Sequence, residues 1–238
     1  MRFLLILLSL VLSGCQVSPD HSITNKEQQA AHEVKKIKME KMNEQLLAAT
    51  KRGDEAQISK LLTDGANINA TDKSGRTAAM IAVHTNQLPV FELLVAKGAD
   101  INIRDDRSDN PLLYAGAEGM LPFVRASIAA GADTTITNRY GGTALIPAAD
   151  RGHVDIVNEL LTTSDVHIDH VNKLGWTALL EAVILGDGGT NHQTIVKLLI
   201  DHGANVNLPD SDGVSPLQHA KNKGYTNMIE MLEHAGAK

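Results

Sequence analysis

Two residue classes are nearly missing from the 238-residue chain. There is a single cysteine, and three Phe, three Tyr and one Trp make up its whole 3% aromatic content. One cysteine forms neither an internal disulfide nor a thiolate zinc site, so no covalent or zinc-thiolate staple is on offer. With so few rings, apolar burial is expected to come from Leu, Ile, Val and Ala, and small aliphatic cores suit closely stacked helices. Acids also outnumber bases, 28 to 22. A net charge of −6 and a pI near 5.9 leave no basic stripe, and the rings are too few for stacking platforms, so neither DNA nor RNA is an expected partner. The length suffices for one globular domain or one short repeat array.

The N-terminus has the grammar of an export signal. Arg2 is followed by a ten-residue apolar run, Phe3 to Leu12, too short to cross a hydrocarbon core of about 30 Å as a helix. The run ends in Leu12-Ser13-Gly14-Cys15, which resembles the lipobox of bacterial lipoproteins. That resemblance implies cleavage before Cys15 and acylation of its sulfur and new amino group with palmitate-type chains. Residues 1–14 are then a lipoprotein signal peptide, Cys15 the lipid attachment point and 15–24 a lipidated tether. Several acyl chains anchor stably where one is marginal. Gln16 stands where inner-membrane retention typically uses Asp, so the resemblance implies the periplasmic face of the outer membrane, with the inner membrane as the alternative. Cleavage removes one base, Arg2, and no acid, which leaves the mature chain one unit more negative.

The remaining sequence repeats. Ala49, Ala82, Ala115, Ala148, Ala182 and Ala220 are separated by 33, 33, 33, 34 and 38 residues, the signature of a repeat architecture. Before the later alanines stands a helix-start residue, Thr77, Asn110, Thr143, Thr177 or Ser215, with Thr77 or Thr143 expected as an N-cap. Pro111 and Pro216 follow where a missing N–H costs nothing. Gly119 and Gly152 can end this first helix in a left-handed conformation. A second helix runs through pairs such as Leu61-Leu62, Leu93-Leu94 and Leu160-Leu161, and Asx residues followed by Gly then mark tight turns. Upstream, residues 25–42 carry Ala30, Val34 and Ile37 at helical spacing and are expected to form a helix that partly caps the first repeat.

The pattern resembles the ankyrin repeat, an all-α solenoid of helix-turn-helix pairs with protruding turns. The helix-start signature stands as Thr77-Ala-Ala-Met-Ile-Ala82, Asn110-Pro-Leu-Leu-Tyr-Ala115, Thr143-Ala-Leu-Ile-Pro-Ala148, Thr177-Ala-Leu-Leu-Glu-Ala182 and Ser215-Pro-Leu-Gln-His-Ala220. The exits stand as Gly65-Ala-Asn-Ile-Asn69, Gly98-Ala-Asp-Ile-Asn102, Gly131-Ala-Asp133 and Gly203-Ala-Asn-Val-Asn207. About six repeats result, over 43–71, 72–104, 105–137, 138–171, 172–209 and 210–238. The family's tetrapeptide His is replaced throughout, repeat four lacks its exit Gly, and repeat five carries extra residues near 186–192. Pro147 is the one awkward proline, expected at worst to forfeit a first intrahelical hydrogen bond.

Little in the sequence carries chemistry. His167 and His170 point to opposite faces if the segment is extended. His153 follows a helix-breaking Gly, and Asp210-Ser-Asp-Gly213 lacks the flanking ligands of an EF-hand. No nucleophile elbow or complete dinucleotide fingerprint occurs, and acids at 33-residue offsets are dispersed along a surface. No catalytic residue, metal or cofactor is therefore expected.

The ankyrin resemblance implies a partner-binding concave face built from turn tips and first helices. The candidate contact residues are Lys73, Arg76, Arg107, Arg139, Tyr140, Arg151, Lys173, Leu174, Trp176, Ile184 and Leu185. Over all tip and first-helix positions nine Lys/Arg face five Asp/Glu, a positive lean on an acidic chain. Trp176, Tyr140, Leu174, Ile184 and Leu185 form an expected apolar patch, since exposed Trp and Tyr often dominate binding. The expected function is a non-enzymatic, lipid-tethered protein-interaction module, monomeric apart from its partner. Two roles fit: an inhibitor or immunity protein against a periplasmic toxin, and an accessory scaffold for a periplasmic enzyme. A metal binder or enzyme using His167, His170 and His192 is the alternative of another class.

Overall fold

The computed structural model describes residues 21–238, with side chains from Gln28 onward; the expected signal peptide, Cys15 and the tether as far as residue 20 lie outside the described residues. The chain divides into two units, one ending at Lys38 and one covering Met39–Lys238. Among the described residues all regular elements are helices: α1 (His21–Arg52), α2 (Glu55–Thr63), α3 (Ala78–His84), α4 (Leu88–Ala96), α5 (Pro111–Ala117), α6 (Leu121–Ala129), α7 (Leu145–Asp150), α8 (Val154–Thr163), α9 (Ala178–Ile184), α10 (Thr190–Asp201), α11 (Pro216–Lys223) and α12 (Thr226–His234). None is long and apolar enough to cross a membrane.

The N-terminal helix, expected over 25–42, covers His21–Arg52. Side chains from Gln28 to Lys41 are exposed, Ala30, Val34 and Ile37 among them. Burial starts at Leu46.

From Met39 onward the second unit is six helix pairs, the last turns of α1 serving as the first helix of repeat one. The six periodic alanines are all fully buried, because a methyl group is the largest side chain that lets neighbouring first helices approach closely. Most of the core is Leu, Ile, Val and Ala, but its two largest side chains are rings. Phe91 of α4 and Phe123 of α6 pack edge to face at 5.7 Å, a favoured aromatic geometry.

Each first helix is started by the expected residue, with one exception. Thr77, Asn110, Thr177 and Ser215 accept hydrogen bonds from the main-chain N–H groups of Met80, Leu113, Leu180 and Gln218 at 2.9–3.3 Å. Thr143 does not cap α7, contrary to expectation: its hydroxyl is buried without a partner among the described residues. The cause is Pro147. In α3 the Thr77 carbonyl accepts from the N–H of Ile81, but Pro147 has no N–H to offer Thr143. The Ile146 N–H moves onto the Thr143 carbonyl at 3.2 Å and is lost to the hydroxyl.

The tips are held by one side chain each. Oδ1 of Asp72, Asp105, Asn138, Asn172 and Asp210 accepts from the N–H groups two and four residues on, at 2.9–3.1 Å. Such Asx turns fix the loop without cross-linking. Successive tips join where the Asp106 N–H donates to Ser74 O and the Lys173 N–H to Tyr140 O.

Candidate functional site

On the face made by tips and first helices lies a cavity of about 480 Å³ spanning repeats two to five. α3 contributes His84, α5 Tyr114 and Ala117, α7 Ile146, Pro147 and Asp150, and α9 Glu181, while the tips add Arg107, Asp109, Arg139, Tyr140, Asn172 and Leu174. Leu185, just past α9, closes one end.

Of the expected contact residues, Arg107, Arg139, Tyr140, Arg151, Leu174 and Leu185 line this cavity; Lys73, Arg76, Lys173, Trp176 and Ile184 do not. Tyr140, Leu174 and Leu185 are each about half exposed, at 53%, 51% and 50%. Trp176 and Ile184 are half-buried, so the apolar patch consists of the first three.

The basic residues are largely committed within the chain. The Arg76 guanidinium donates to Asp72 Oδ2 from Nε and Nη2 within its own tip. Arg151 Nη1 reaches back to Glu118 and to the main-chain carbonyl of Ala117, both at 2.7 Å, where α5 leaves carbonyls without intrahelical donors. Lys173 Nζ donates to Arg139 O, and the Arg139 guanidinium lies 4.5 Å from the Tyr140 ring centre. Within the cavity Arg107, Arg139 and Arg151 meet Asp109, Glu118, Asp150 and Glu181. The positive lean expected of the whole face does not extend to its deepest part.

Two cavity residues, Glu181 and Tyr114, are not singled out by the repeat pattern. Glu181 is 95% buried, and Asn172 Nδ2 donates to its Oε1 at 2.8 Å. Burial, reinforced by the nearby Asp150 carboxylate, pushes its pKa up to about 7, with the Asn172 hydrogen bond opposing. His84 stacks on Tyr114 at 3.9 Å, its Nε2 buried without a partner among the described residues. Burial, helped by the Arg76 charge, lowers the His84 pKa, while burial raises that of the Tyr114 phenol. An acid inside the apolar run Ala178-Leu-Leu-Glu-Ala-Val183 was the available signal for Glu181. Tyr114 had none, because it meets His84 only after repeats two and three stack.

Three other histidines sit against main-chain carbonyls. Nε2 of His153 lies 3.1 Å from Ala117 O, Nε2 of His192 2.8 Å from Asp150 O, and Nε2 of His170 2.7 Å from Gly141 O. Gln87 and Tyr225 serve first-helix ends in the same way, through Thr50 O, Lys51 O and Gly186 O. Gly119 must stay small here: with φ near +72°, a Cβ would come within 2.8 Å of the His153 ring. The extra residues of repeat five place His192 where repeat four has His153, and Asp187 Oδ1 lies 2.9 Å from its Nδ1. Among the described residues no group of three or more His, Cys, Asp or Glu is placed to hold a metal ion.

Known proteins agree with this architecture. Family models described as ankyrin repeats (3 copies) and ankyrin repeats (many copies) match residues 112–210, and 61–115 and 189–233, respectively. The ankyrin repeat protein YahD of Escherichia coli (strain K12) is 36% identical over 191 residues, 80% of this chain and 95% of that one. The crystal structure of an ankyrin repeat domain from Acinetobacter baumannii AYE is 49% identical with a TM-score of 0.79, covering 81% of this chain and 98% of that one. The ankyrin repeat domain of Bcl-3, a member of the IkappaB protein family, is 27% identical with a TM-score of 0.74, over 82% of this chain and 86% of the other. With its buried alanine period, capped first helices and Asx-held tips, the chain belongs to the ankyrin-repeat family.

Proposed function

We propose that this chain is a non-enzymatic protein-interaction module, tethered through Cys15 in the bacterial periplasm, that grips a partner protein with the face carrying the repeat-two-to-five cavity. The observation that carries the reading is the cavity itself: half-exposed Tyr140, Leu174 and Leu185 beside a buried polar floor. An apolar rim around a few fixed polar groups is how binding energy concentrates at interfaces. The anchor rests on the lipobox-like Leu12-Ser13-Gly14-Cys15. Within this reading the partner is a toxin to be inhibited or an enzyme to be supported.

The test is capture of partners from cell envelopes, followed by titration of the purified partner against wild type, Tyr140→Ala, Leu174→Asp and Trp176→Ala. Leu174→Asp is expected to weaken binding by about 2 kcal/mol or more, with Trp176→Ala, off the cavity, smaller. Equal affinities for wild type and Leu174→Asp would move the interface elsewhere. Cys15→Ser is expected to shift the protein from the membrane to the soluble fraction, and unchanged membrane association would remove the lipid anchor.

A further inference from the structure

The two ends of the cavity differ in charge balance. At the repeat-three end burial and the Asp105 carboxylate raise the Asp109 pKa, and the positive charges of Arg139 and Arg107 oppose them. At the repeat-five end Glu181 makes no ion pair among the described residues, and the charge acting on it is Asp150, of its own sign. Arg151, adjacent in sequence to Asp150, is turned toward Glu118 and Ala117 O. Oε1 of Glu181 accepts from Asn172, while Oε2 has no hydrogen-bond partner among the described residues. The carboxyl lines the cavity all the same. A nearly buried acid beside a second acid, open to a cavity and without a counter-ion of its own, is costly when ionised. That cost is offset when a cation comes from outside.

We propose that Glu181 is the seat for a lysine or arginine side chain carried by the partner protein. The aliphatic stem lies against Tyr140, Leu174 and Leu185, and the charged end reaches Glu181 and Asp150. Long basic side chains combine an apolar stem with a cationic head, which matches an apolar rim above an acidic floor. Asn172 positions the Glu181 carboxyl from the tip side at 2.8 Å, so the acceptor is oriented before the partner arrives. The cavity's basic residues lie toward repeats three and four and disfavour a second cation there, which fixes the register of the bound segment. This assignment rests on the proposed function and names the chemistry of the partner at that face.

The test pans phage-displayed random peptides against the immobilised wild-type chain and titrates the enriched peptides against wild type, Glu181→Gln, Asp150→Asn and Leu174→Asp. Glu181→Gln keeps an acceptor for Asn172, and circular dichroism confirms that each variant is folded. The expected result is peptides with a required Lys or Arg, whose replacement by Met weakens binding about thirtyfold or more, as loss of one member of a buried charge pair does. Glu181→Gln is expected to weaken binding similarly, and the two losses are not additive when combined. Enriched peptides without a basic residue, or equal affinity for wild type and Glu181→Gln while Leu174→Asp loses binding, overturn the seat and leave the groove reading standing. No enriched peptide, or binding indifferent to Leu174→Asp as well, overturns both. Free L-arginine that binds as tightly as the peptides, with the same dependence on Glu181, replaces a protein side chain with a small cationic ligand and overturns the assignment to a partner protein.

Discussion

Repeats two and four carry the same threonine at the same place and use it differently. In repeat two Thr77 caps α3, and four residues on Ile81 is buried and donates its N–H to the Thr77 carbonyl. In repeat four the corresponding residue is Pro147, the backbone bond is lost, and the buried Thr143 hydroxyl is left without a partner among the described residues. The same position holds Glu181 in repeat five and His219, 2.7 Å from Asp210, in repeat six. A site that only packs in repeat two becomes cavity lining in repeats three, four and five, through Tyr114, Pro147 and Glu181. The shared framework provides the stack, and the cavity is built where this one position departs from an aliphatic packing residue.

The largest effect tests whether the difference is confined to the helix openings. Leu94 of α4 and Leu160 of α8 are both fully buried, so Leu94→Ala and Leu160→Ala are each expected to cost about 2–5 kcal/mol. Urea unfolding of the two variants should give matching losses. A Leu160→Ala loss below half that of Leu94→Ala would mean that repeat four is loosely packed throughout, and that Pro147 is a symptom rather than the cause.

The next effect concerns the caps. Thr77→Val removes a working cap and is expected to cost about 1 kcal/mol. Thr143→Val removes a buried hydroxyl with no hydrogen-bond partner among the described residues and is expected to be neutral or stabilising by up to about 1 kcal/mol. Pro147→Ala restores the missing N–H. In that background Thr143→Val should begin to cost what Thr77→Val costs, an interaction visible in a double-mutant cycle of unfolding midpoints. Additive effects of Pro147→Ala and Thr143→Val would sink the hydrogen-bond switch.

The repeat period, the tips and much of the cavity rim were legible because each rests on a local requirement. A crowded helix contact needs Ala, a left-handed turn favours Gly, and a tip residue such as Tyr140 or Leu174 is exposed by its place in the loop. Two kinds of feature were not. Thr143 has the right residue type in the right place, and its failure depends on which acceptor a neighbouring N–H selects. Glu181 and Tyr114 gain their significance from a cavity that exists only once four repeats are stacked, and Glu181 further from the absence of a counter-ion there. The Arg151 pairing with Glu118, across 33 residues, likewise cancels a charge that a count along the sequence leaves in place. Phe91 and Phe123 were lost in an argument from composition: few rings in the chain did not mean none in the core.

The smallest effect compares position five of repeat five with its apolar counterpart in repeat two through their response to pH. Glu181 has a folded-state pKa of about 7 against an ordinary value of 4.5, so between these values the folded chain holds a proton that the unfolded chain releases. Unfolding is then favoured as pH rises: the contribution of the neutral carboxyl is intact below about 4.5 and lost by the time pH passes about 7. Glu181→Gln removes the titration and keeps an acceptor for Asn172. Its Tm is expected to exceed that of wild type by about 2 °C at pH 8 and to converge on it at pH 5. Ile81→Val, a packing change with no titrating group, should lower Tm by the same amount at both pH values. A Glu181→Gln difference independent of pH would show that Glu181 already has a counter-charge in the folded chain, and the contrast between a packing position and a charge-bearing one would disappear with it.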